Sequence, residues 1–396
     1  MGRPLEGVRI VTVEHYGAGP FGTGHLAALG ADVIKIENPH VGGDSSRSVT
    51  PHLLGKHDSQ FFQTLNQSKR SLTLDLKQPE GQEIMRRLVK NADGMLNNLR
   101  GDQPAKLKIT YQDLKSVNPA IVCAHLSAYG REGSRATWPG YDYLMQAETG
   151  FMTITGEPDG PPTRMGLSIV DWMTGTTTVL ALISSILKAR TTGEGCDIDC
   201  TLFDTALYQT TYPATWYLNE GEVTPRLPRS AHPSLVPSQL YTAKDGWIFL
   251  MGLTPKFWKI ICEKTGRMDL FDHADFVDFP ARKKNAAKLN PILDTVFAEK
   301  DVGEWVKIFA GLVPIGPVYD LAAALENDFV KEREMIHTFD HPEKGKFRVI
   351  ANPIKIDGKR LPTTKAPGLG ENTNEILREI GYADDDIAAL HDKGVV

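Results

Sequence analysis

The 396-residue chain has a formal net charge of −5, with 41% hydrophobic and 23% charged residues, which are the proportions of an ordinary globular protein. The acidic balance argues against a general nucleic-acid-binding surface. The chain begins without an apolar signal segment, and it has no uninterrupted apolar run of about 18 residues. We therefore expect two domains in a cytoplasmic protein that neither binds nucleic acid nor spans a membrane.

The first half of the chain alternates short apolar runs with helical patterns. A buried strand is predicted at 8–13, then a glycine-rich turn, a helix at 20–29 and a strand at 32–36. The later predictions are strands at 71–76, 94–97, 121–126 and 197–202, and helices at 79–91, 172–189 and 203–218. This alternation predicts an α/β fold with a largely parallel, doubly wound sheet.

The composition changes near Asn219, because 219–237 is rich in Pro, Ser, Thr and Arg and reads as a linker. Beyond it we predict strands at 239–241 and 247–252, and helices at 255–265, 281–298 and 302–311. These elements indicate a smaller α+β domain at 225–330. An amphipathic helix at 372–381 and a short acidic helix are predicted in the tail.

The four cysteines are few and scattered, as in proteins of a reducing compartment. Cys196 and Cys200 stand four residues apart, but a zinc site needs about four ligands, and no matching His or Cys pair is near. We therefore predict that both are plain strand residues and that the chain has no metal site.

Residues 17–22, Gly-Ala-Gly-Pro-Phe-Gly, match the G-x-G-x-x-G pattern between a predicted strand and helix, and Glu37 ends the next strand about 20 residues on. In a dinucleotide site such glycines let a pyrophosphate reach a helix N-terminus. The alternative is that they only make a tight strand-to-helix turn. The motif alone leaves both possibilities open.

Six ordered blocks of sequence resemble the class III CoA-transferases, the family of formyl-CoA transferase, carnitine CoA-transferase and the succinyl-CoA–dicarboxylate transferases, to which the α-methylacyl-CoA racemases are related. The blocks are AGPF at 18–21 with LGADVIKIE at 29–37, NQSKRS at 66–71 with LDLK at 74–77, GYD at 140–142, RMGLSIVD at 164–171 with Gly175, VPIGPV at 313–318, and APGLGENT at 366–373. Their order along the chain makes the resemblance specific and displaces the dinucleotide hypothesis.

The resemblance implies a Rossmann-like, CoA-binding large domain built from 1–224 and 331–396, with the small α+β domain at 225–330 between them. It also implies an interlocked homodimer in which each subunit is a ring threaded by its partner. Coenzyme A thioesters and carboxylic acids are the implied substrates, without a tightly bound cofactor.

The resemblance further implies that Asp171 is a carboxylate nucleophile. A plain N-cap role is the alternative, because Asp171 comes directly before the predicted helix. A helix dipole would favour its ionised form, which nucleophilic attack requires. Attack on an acyl-CoA gives a mixed anhydride, the thiolate then forms an aspartyl-CoA thioester, and the acceptor acid reverses the sequence.

Further site residues follow from the same resemblance and from the need for oxyanion donors. Candidates near the substrate or the oxyanion are His15, Tyr16, Gly17, Ala18, Tyr141, Asp142 and His232. Candidates along the CoA path are Asn38, Leu74, Lys77, Asn98, Leu99 and Lys106. Charge alone adds Lys69, Arg70 and Arg100 as phosphate contacts, with a solvated surface charge as the alternative for each.

The substrates are predicted from two features of the sequence. Formyl-CoA transferase has a glutamine where Gly17 stands, which disfavours formyl and oxalyl substrates here. The Ala231-His232 stretch resembles that of the dicarboxylate transferases, so a succinyl-CoA-like donor and a C4–C6 dicarboxylate acceptor are expected. His232 is either a substrate ligand or a structural loop residue, and a carnitine-type acceptor is an alternative.

Two competing functions are a racemase and a nonenzymatic CoA-binding protein. The racemases carry a histidine base in a Gly-His-Asp motif, where this chain has Gly140-Tyr141-Asp142. A phenol of ordinary pKa, about 10, is a poor base near neutral pH. The presence of Asp171 speaks against a nonenzymatic role.

Overall fold

The computed structural model describes residues 2–49 and 51–396. The strands are β1 Arg9–Val13, β2 Asp32–Glu37, β3 Arg70–Thr73, β4 Gly94–Asn97, β5 Val122–Ser127, β6 Cys196–Thr201, β7 Ser238–Ala243, β8 Gly246–Met251, β9 Ile315–Pro317, β10 Ile336–His341, β11 Gly345–Ile350, β12 Lys355–Ile356 and β13 Lys359–Arg360. The α-helices are α1 Ala18–Ala28, α2 Gln60–Leu65, α3 Pro79–Lys90, α4 Gln103–Lys106, α5 Tyr111–Leu114, α6 Asp142–Glu148, α7 Phe151–Ile154, α8 Ile169–Thr192, α9 Leu202–Gln209, α10 Thr211–Glu220, α11 Pro255–Lys264, α12 Met268–Phe271, α13 Phe279–Lys284, α14 Ala286–Phe297, α15 Val302–Phe309, α16 Leu321–Glu326, α17 Asp328–Glu332, α18 Thr373–Glu379 and α19 Asp384–Asp392. Short 3-10 helices lie at Pro39–Val41, Ser45–Ser48 and Pro228–Ser230.

Six strands form one parallel sheet in the order β3-β2-β1-β4-β5-β6. The chain runs outward from β1 to β3 and then returns to the other side of β1 to form β4. This reversal leaves a crevice at the carboxyl ends of β1 and β4, which is where open α/β sheets bind ligands. The observed sheet confirms the predicted α/β fold.

Helices cover both faces of this sheet. On one face α3, α5, α18 and α19 bury Leu88, Leu114, Ile376 and Leu390 in a continuous core. On the other face α1 and α8 pack against the strands through a second core. Because both faces are buried, the strands read as nearly continuous apolar runs, which explains why the sequence reveals them.

The chain divides into two compact units. One contains the residues up to Thr149, Gly166–Thr211 and Lys331–Val396, and the other contains Gly150–Met165 and Tyr212–Val330. The second unit has the antiparallel sheet β7-β8-β9 and its own core. It begins earlier than the predicted residue 225, and it also takes in the segment Gly150–Met165.

Hydrogen bonds within the second unit explain its extra segment. The Arg226 Nη1 donates to the carbonyl oxygen of Pro161 at 2.7 Å, and the Arg229 N–H donates to Glu157 Oε1 at 2.8 Å. The bonded groups lie 65 and 72 positions apart in the sequence. Local sequence patterns therefore do not predict these hydrogen bonds.

Two predicted helices are each divided in the structure. The helix predicted at 203–218 is α9 followed by α10, and Thr211, the first residue of α10, has φ 44°. The helix predicted at 281–298 is α13 followed by α14, with Asn285 at the junction. The hairpin of β10 and β11 was not predicted, although Phe347 and Val349 alternate with exposed residues along β11.

By length and composition alone, α8 is long and apolar enough to cross a membrane, with a mean hydropathy of 1.3 over its apolar window. The prediction of no such segment relied on an uninterrupted apolar run, and the Thr and Ser residues of α8 interrupt it. Val179, Leu182 and Ile186 are buried in the core beside the sheet. These residues give α8 one face in the core, and 39% of its apolar window is buried.

The backbones of α1 and α8 touch where both helices carry glycine. A Cβ at Gly22 would lie 2.5 Å from the Gly175 carbonyl oxygen, and a Cβ at Gly175 would lie 2.3 Å from the Ala18 carbonyl oxygen. Any larger residue would push the helices apart. This contact brings the first turn of α8, with Asp171, to the N-terminus of α1.

Candidate active site

A cavity of about 430 Å³ opens at the carboxyl edge of the parallel sheet, within the usual range for a small-molecule site. Its walls are the turn between β1 and α1, the loop after β4, the loop after β5 and the first turn of α8. These are the segments that the strand order gathers at the crevice between β1 and β4.

The three glycines of the G-x-G-x-x-G motif each allow a close contact. A Cβ at Gly17 would lie 2.5 Å from Asp171 Oδ2, and one at Gly19 would lie 3.1 Å from Asn98 Cγ. Gly22 makes the contact between α1 and α8. The glycines therefore serve the packing around Asp171, which agrees with the hypothesis of a tight strand-to-helix turn.

Glu37 stands where a dinucleotide site has its acidic ribose ligand. In the structure it is buried, and its two carboxylate oxygens accept from Arg47 Nε at 2.8 Å and Arg47 Nη2 at 2.7 Å. Ser71 Oγ donates to the same carboxylate at 2.6 Å. With its oxygens bound in the interior, Glu37 is a structural residue.

Asp171 lies in the first turn of α8, because the helix begins at Ile169 and Ser168 is its N-cap. The prediction that α8 starts at Trp172, with Asp171 as a possible N-cap, was therefore wrong. The N–H of Asp171 donates to Asp142 Oδ2 at 3.0 Å. Asp142 is buried and also accepts from Gln146 Nε2 at 2.6 Å, so it fixes the first turn of α8.

Burial raises the pKa of the Asp171 carboxyl to about 7, and the negative charge of Asp142 adds to this rise. The helix dipole favours the ionised form of this group, but desolvation and the like charge of Asp142 act in the opposite direction. A carboxylate with a raised pKa is a stronger base and nucleophile once ionised.

The structure brings together most of the residues predicted near the substrate. The cavity wall includes the predicted His15, Tyr16, Gly17, Ala18, Asn98, Leu99, Arg100, Tyr141 and Asp171. Asp142 does not line the cavity, but its carboxylate accepts a hydrogen bond from the N–H of Asp171, which does.

Four CoA-path candidates lie outside this wall: Asn38, Leu74, Lys77 and Lys106. They follow the carboxyl ends of β2, β3 and β4, at the same edge of the sheet as the cavity. The side chain of Leu74 is buried in the core, so only its backbone is available to a ligand there. Their roles stay predictions.

Two residues proposed from charge alone serve the fold. Lys69 is buried, and its Nζ donates to Glu14 Oε1 at 2.8 Å, so it is not available to a phosphate. Arg70 pairs with Asp32 and Glu379 at 2.7 Å each, which ties α18 to the sheet. A basic residue in an interior ion pair looks the same in sequence as one on the surface.

Arg100 lines the cavity, where its Nε donates to Asp102 Oδ1 at 2.5 Å. Lys106 Nζ binds the other oxygen of the same carboxylate at 2.5 Å. Two cations therefore share one anion at the cavity edge, which leaves a local excess of positive charge for an anionic ligand.

His232 belongs to the second unit. Its Nδ1 accepts from the N–H groups of Ser234 and Leu235 at 3.1 Å each, and its Nε2 lies 3.5 Å from Tyr212 Oη. These contacts shape its own loop and favour a structural role. Its role with a substrate stays a prediction.

Several other residues of the wall were not among the predicted site residues: Gln103, Leu126, Ser127, Ala128, Trp138, Pro139, Gly140 and Leu202. Leu126–Ala128 could have been found, because they end a predicted parallel strand at the binding edge of the sheet. Gly140 belongs to the GYD block at 140–142, whereas Trp138 and Pro139 carry no such signal.

Asp171→Asn is expected to raise the free energy of unfolding at pH 8 by about 2–4 kcal/mol, at about 1.4 kcal/mol per unit of pKa. A raised pKa means that the folded protein binds more protons than the unfolded chain between about pH 4 and 7. Wild-type stability therefore falls as the pH rises through this window, and the variant should lack that fall. Urea unfolding at pH 5 and pH 8 measures both quantities.

Asp197→Asn is the control of opposite sign. Burial alone would raise the pKa of the Asp197 carboxyl. Hydrogen bonds from His125 and from the Tyr111 N–H outweigh this effect and hold that pKa below its usual range. Its carboxylate therefore stabilises the fold above acid pH, and its loss should lower stability at pH 8. A lower stability of Asp171→Asn at pH 8 would contradict the raised pKa.

Comparison with known proteins agrees with this geometry. Residues 5–373 match the model of CoA-transferase family III. The chain is 31% identical to a mouse protein named succinyl-CoA:glutarate CoA-transferase, across 100% of this chain and 90% of that protein. It is 29% identical to a Streptomyces coelicolor protein named formyl-CoA:oxalate CoA-transferase, across 100% and 99%.

A solved structure has the same fold. The crystal structure of a CAIB/BAIF family protein from Brucella suis superposes with a TM-score of 0.81 at 30% identity, covering 96% of this chain and 100% of that one. The parallel sheet, the ordered sequence blocks and the family match over residues 5–373 agree with one another. The chain belongs to CoA-transferase family III and is an enzyme of that class.

Proposed function

We propose that Asp171 is the nucleophile in the transfer of coenzyme A from an acyl-CoA such as succinyl-CoA to a small dicarboxylic acid. The observation that carries this proposal is the place of its carboxylate, which lies on the cavity wall beside the N-terminus of α1 with a pKa raised to about 7. A half-buried carboxylate without a cation partner is costly to the fold, which supports a chemical role.

The reaction proceeds by exchange of bonds at two carbonyl carbons. An oxygen of ionised Asp171 bonds to the thioester carbonyl carbon, and the C–S bond breaks with its electron pair leaving on the CoA thiolate. The thiolate then bonds to the side-chain carbonyl carbon of Asp171, which releases the donor acid as a carboxylate. The acceptor carboxylate reverses both exchanges, and no net proton is transferred.

Each exchange passes through an oxyanion that needs donors. The first N–H groups of α1 have no acceptor within the helix, and Gly17 and Ala18 face the cavity. Pro20 brings no N–H of its own in this turn. The positive end of the α1 dipole favours negative charge at the same point. We assign the oxyanion site to this turn.

Three observations support a dicarboxylate substrate. The positive charge of Arg100 at the cavity edge fits a second carboxylate. A glutamine at position 17, as in formyl-CoA transferase, would place its Cβ 2.5 Å from Asp171 Oδ2. The name of the mouse relative includes succinyl-CoA and glutarate. The sequence identity to the formyl-CoA:oxalate relative is almost as high. The proposed substrate class therefore rests more on the residues of the cavity wall than on sequence identity.

The proposal extends to a homodimer, interlocked as in the family resemblance, with CoA bound by the unit that holds the parallel sheet. Large apolar side chains are exposed on α8 and α9, with Leu180 68%, Leu187 64% and Tyr208 81% accessible in the single chain. Exposed apolar side chains on neighbouring helices mark a protein interface. A second copy of the chain would bury these side chains.

Purified enzyme is expected to make new CoA esters when it is given succinyl-CoA, a branched 2-methylacyl-CoA and a pool of acids in deuterated water. Mass spectrometry of every CoA ester identifies the acceptor. Asp171→Ala should abolish the products, while Asp385→Ala, at an exposed position of α19, should not. Deuterium in the branched ester without new esters would instead indicate a racemase.

The value of kcat/KM is expected to rise about tenfold per pH unit below pH 7 and to level off above it, because Asp171 must be ionised in the free enzyme. Asp142→Asn removes a negative charge while keeping an oxygen that accepts from the Asp171 N–H. Its profile should therefore turn at a lower pH. An unchanged turning point would show that Asp142 does not act on the carboxyl of Asp171.

Native mass spectrometry is expected to give twice the chain mass of 43.7 kDa. The double substitution of Leu180 and Leu187 by glutamate should give chains of single mass, because it places charges within the proposed apolar interface. The same change at Leu53, which is also exposed, should leave the mass doubled. A wild-type protein of single mass at micromolar concentration would contradict the dimer.

A further inference from the structure

The turn between β1 and α1 is held by side chains on both sides of its backbone. The carbonyl oxygen of Glu14 accepts from Lys35 Nζ at 2.7 Å, and the N–H of Tyr16 donates to Asp44 Oδ1 at 2.9 Å. The Asn98 side chain binds His15 twice, accepting from its N–H at 2.9 Å and donating to its carbonyl oxygen at 2.7 Å. Four successive backbone polar atoms are thus bound by three side chains.

Two of the three side chains form a buried ion pair. Lys35 Nζ lies 2.8 Å from Asp44 Oδ2, and neither side chain is accessible to solvent. The pair therefore binds the backbone of the turn on both sides of His15, at the carbonyl oxygen of Glu14 and at the N–H of Tyr16. Replacing a buried ion pair by hydrophobic residues often leaves the fold equally stable. We therefore infer that this ion pair serves to hold the backbone of the turn in one conformation.

Tyr16 shows what is being fixed. Its φ is 64°, in the left-handed region, which is unfavourable for a residue with a side chain. The bond from its N–H to Asp44 opposes relaxation of the turn. Strained backbone of this kind persists only where the surroundings hold it, and it is concentrated at functional sites.

The next residue along the chain is Gly17, whose backbone lies against the carboxylate of Asp171. The path of the turn therefore sets the distance between Asp171 and the first N–H groups of α1. Reaction rates depend steeply on such distances, and a displacement of about 1 Å can cost about a hundredfold.

We propose that Asp44 and Lys35 are positioning residues for CoA transfer, because their buried pair holds Tyr16 and Gly17 in the path that places the oxyanion donors beside Asp171. This inference rests on the proposed roles of Asp171 and the α1 turn. Neither side chain lines the cavity itself, so both act through the backbone that they bind.

The test compares Asp44→Ala and Asp44→Asn with Asp58→Asn. Asp58 is a matched control, since it also accepts from a backbone N–H, that of Ser59, and pairs with a basic residue, His341, at 2.8 Å. Asn at position 44 keeps an oxygen for the Tyr16 N–H but loses the charge that binds Lys35. Steady-state kinetics, urea unfolding and hydrogen exchange of the Tyr16 and Gly17 amides are measured for each.

We expect kcat to fall at least tenfold in Asp44→Ala and less in Asp44→Asn, with KM for the acyl-CoA changed by less than threefold. Amide exchange at Tyr16 should quicken in the same order. Asp58→Asn should lose stability without change in kcat or in that exchange. If the alanine variant does not fold, the asparagine variant, which keeps the volume of Asp44, carries the comparison.

Three results overturn the inference. The first is a kcat in both Asp44 variants equal to wild type per folded molecule, the second is unchanged exchange at the Tyr16 amide, and the third is a kcat loss in Asp58→Asn as large as that in the Asp44 variants. A wild-type enzyme without CoA transfer would instead defeat the proposed function, and the exchange measurement would still decide whether Asp44 holds the turn. The third result would show a general effect of stability in place of a positioning role.

Discussion

The contact between α1 and α8 is the constraint on which the candidate site depends. Gly22 and Gly175 let two backbones touch, so the first turn of α8 ends beside the N-terminus of α1. One helix then contributes a carboxylate and the other contributes unpaired N–H groups and a positive dipole end. Neither helix alone would make a reactive site, and a methyl group at either glycine would separate the two parts.

The carboxylates around this contact differ in the charge of their neighbours, and this difference determines whether the pKa of each carboxyl is lowered or raised. Glu37 and Asp44 are buried beside Arg47 and Lys35, whose charges hold the pKa of each carboxyl below its usual range against the effect of burial. Asp171 has a second carboxylate, Asp142, for its neighbour, and its pKa rises. The neighbouring cations thus favour the ionised forms of Glu37 and Asp44, whereas burial and the charge of Asp142 raise the pKa of Asp171 to about 7.

Prediction from sequence succeeded where the signal is periodic or belongs to an ordered motif. The parallel sheet follows from apolar runs of strand length. Asp171, Gly17 and Tyr141, which were chosen from motifs, line one cavity, and their roles stay predictions. The partners of buried charges were not predictable, because Lys35 and Asp44 come together only through folding. A lysine inside the apolar run Val33-Ile34-Lys35-Ile36 was the one local sign, since a charge there must find a counter-charge.

The same strand, turn and helix can serve a nucleotide or a carboxylate nucleophile, and the surrounding side chains decide which. A dinucleotide needs open space before the helix N-terminus and an accessible acid at the end of the second strand. Here Asp171 occupies the space next to Gly17, and Arg47 neutralises the acid Glu37. The helix N-terminus keeps its attraction for negative charge, and the negative group that lies beside it here is the carboxylate of Asp171.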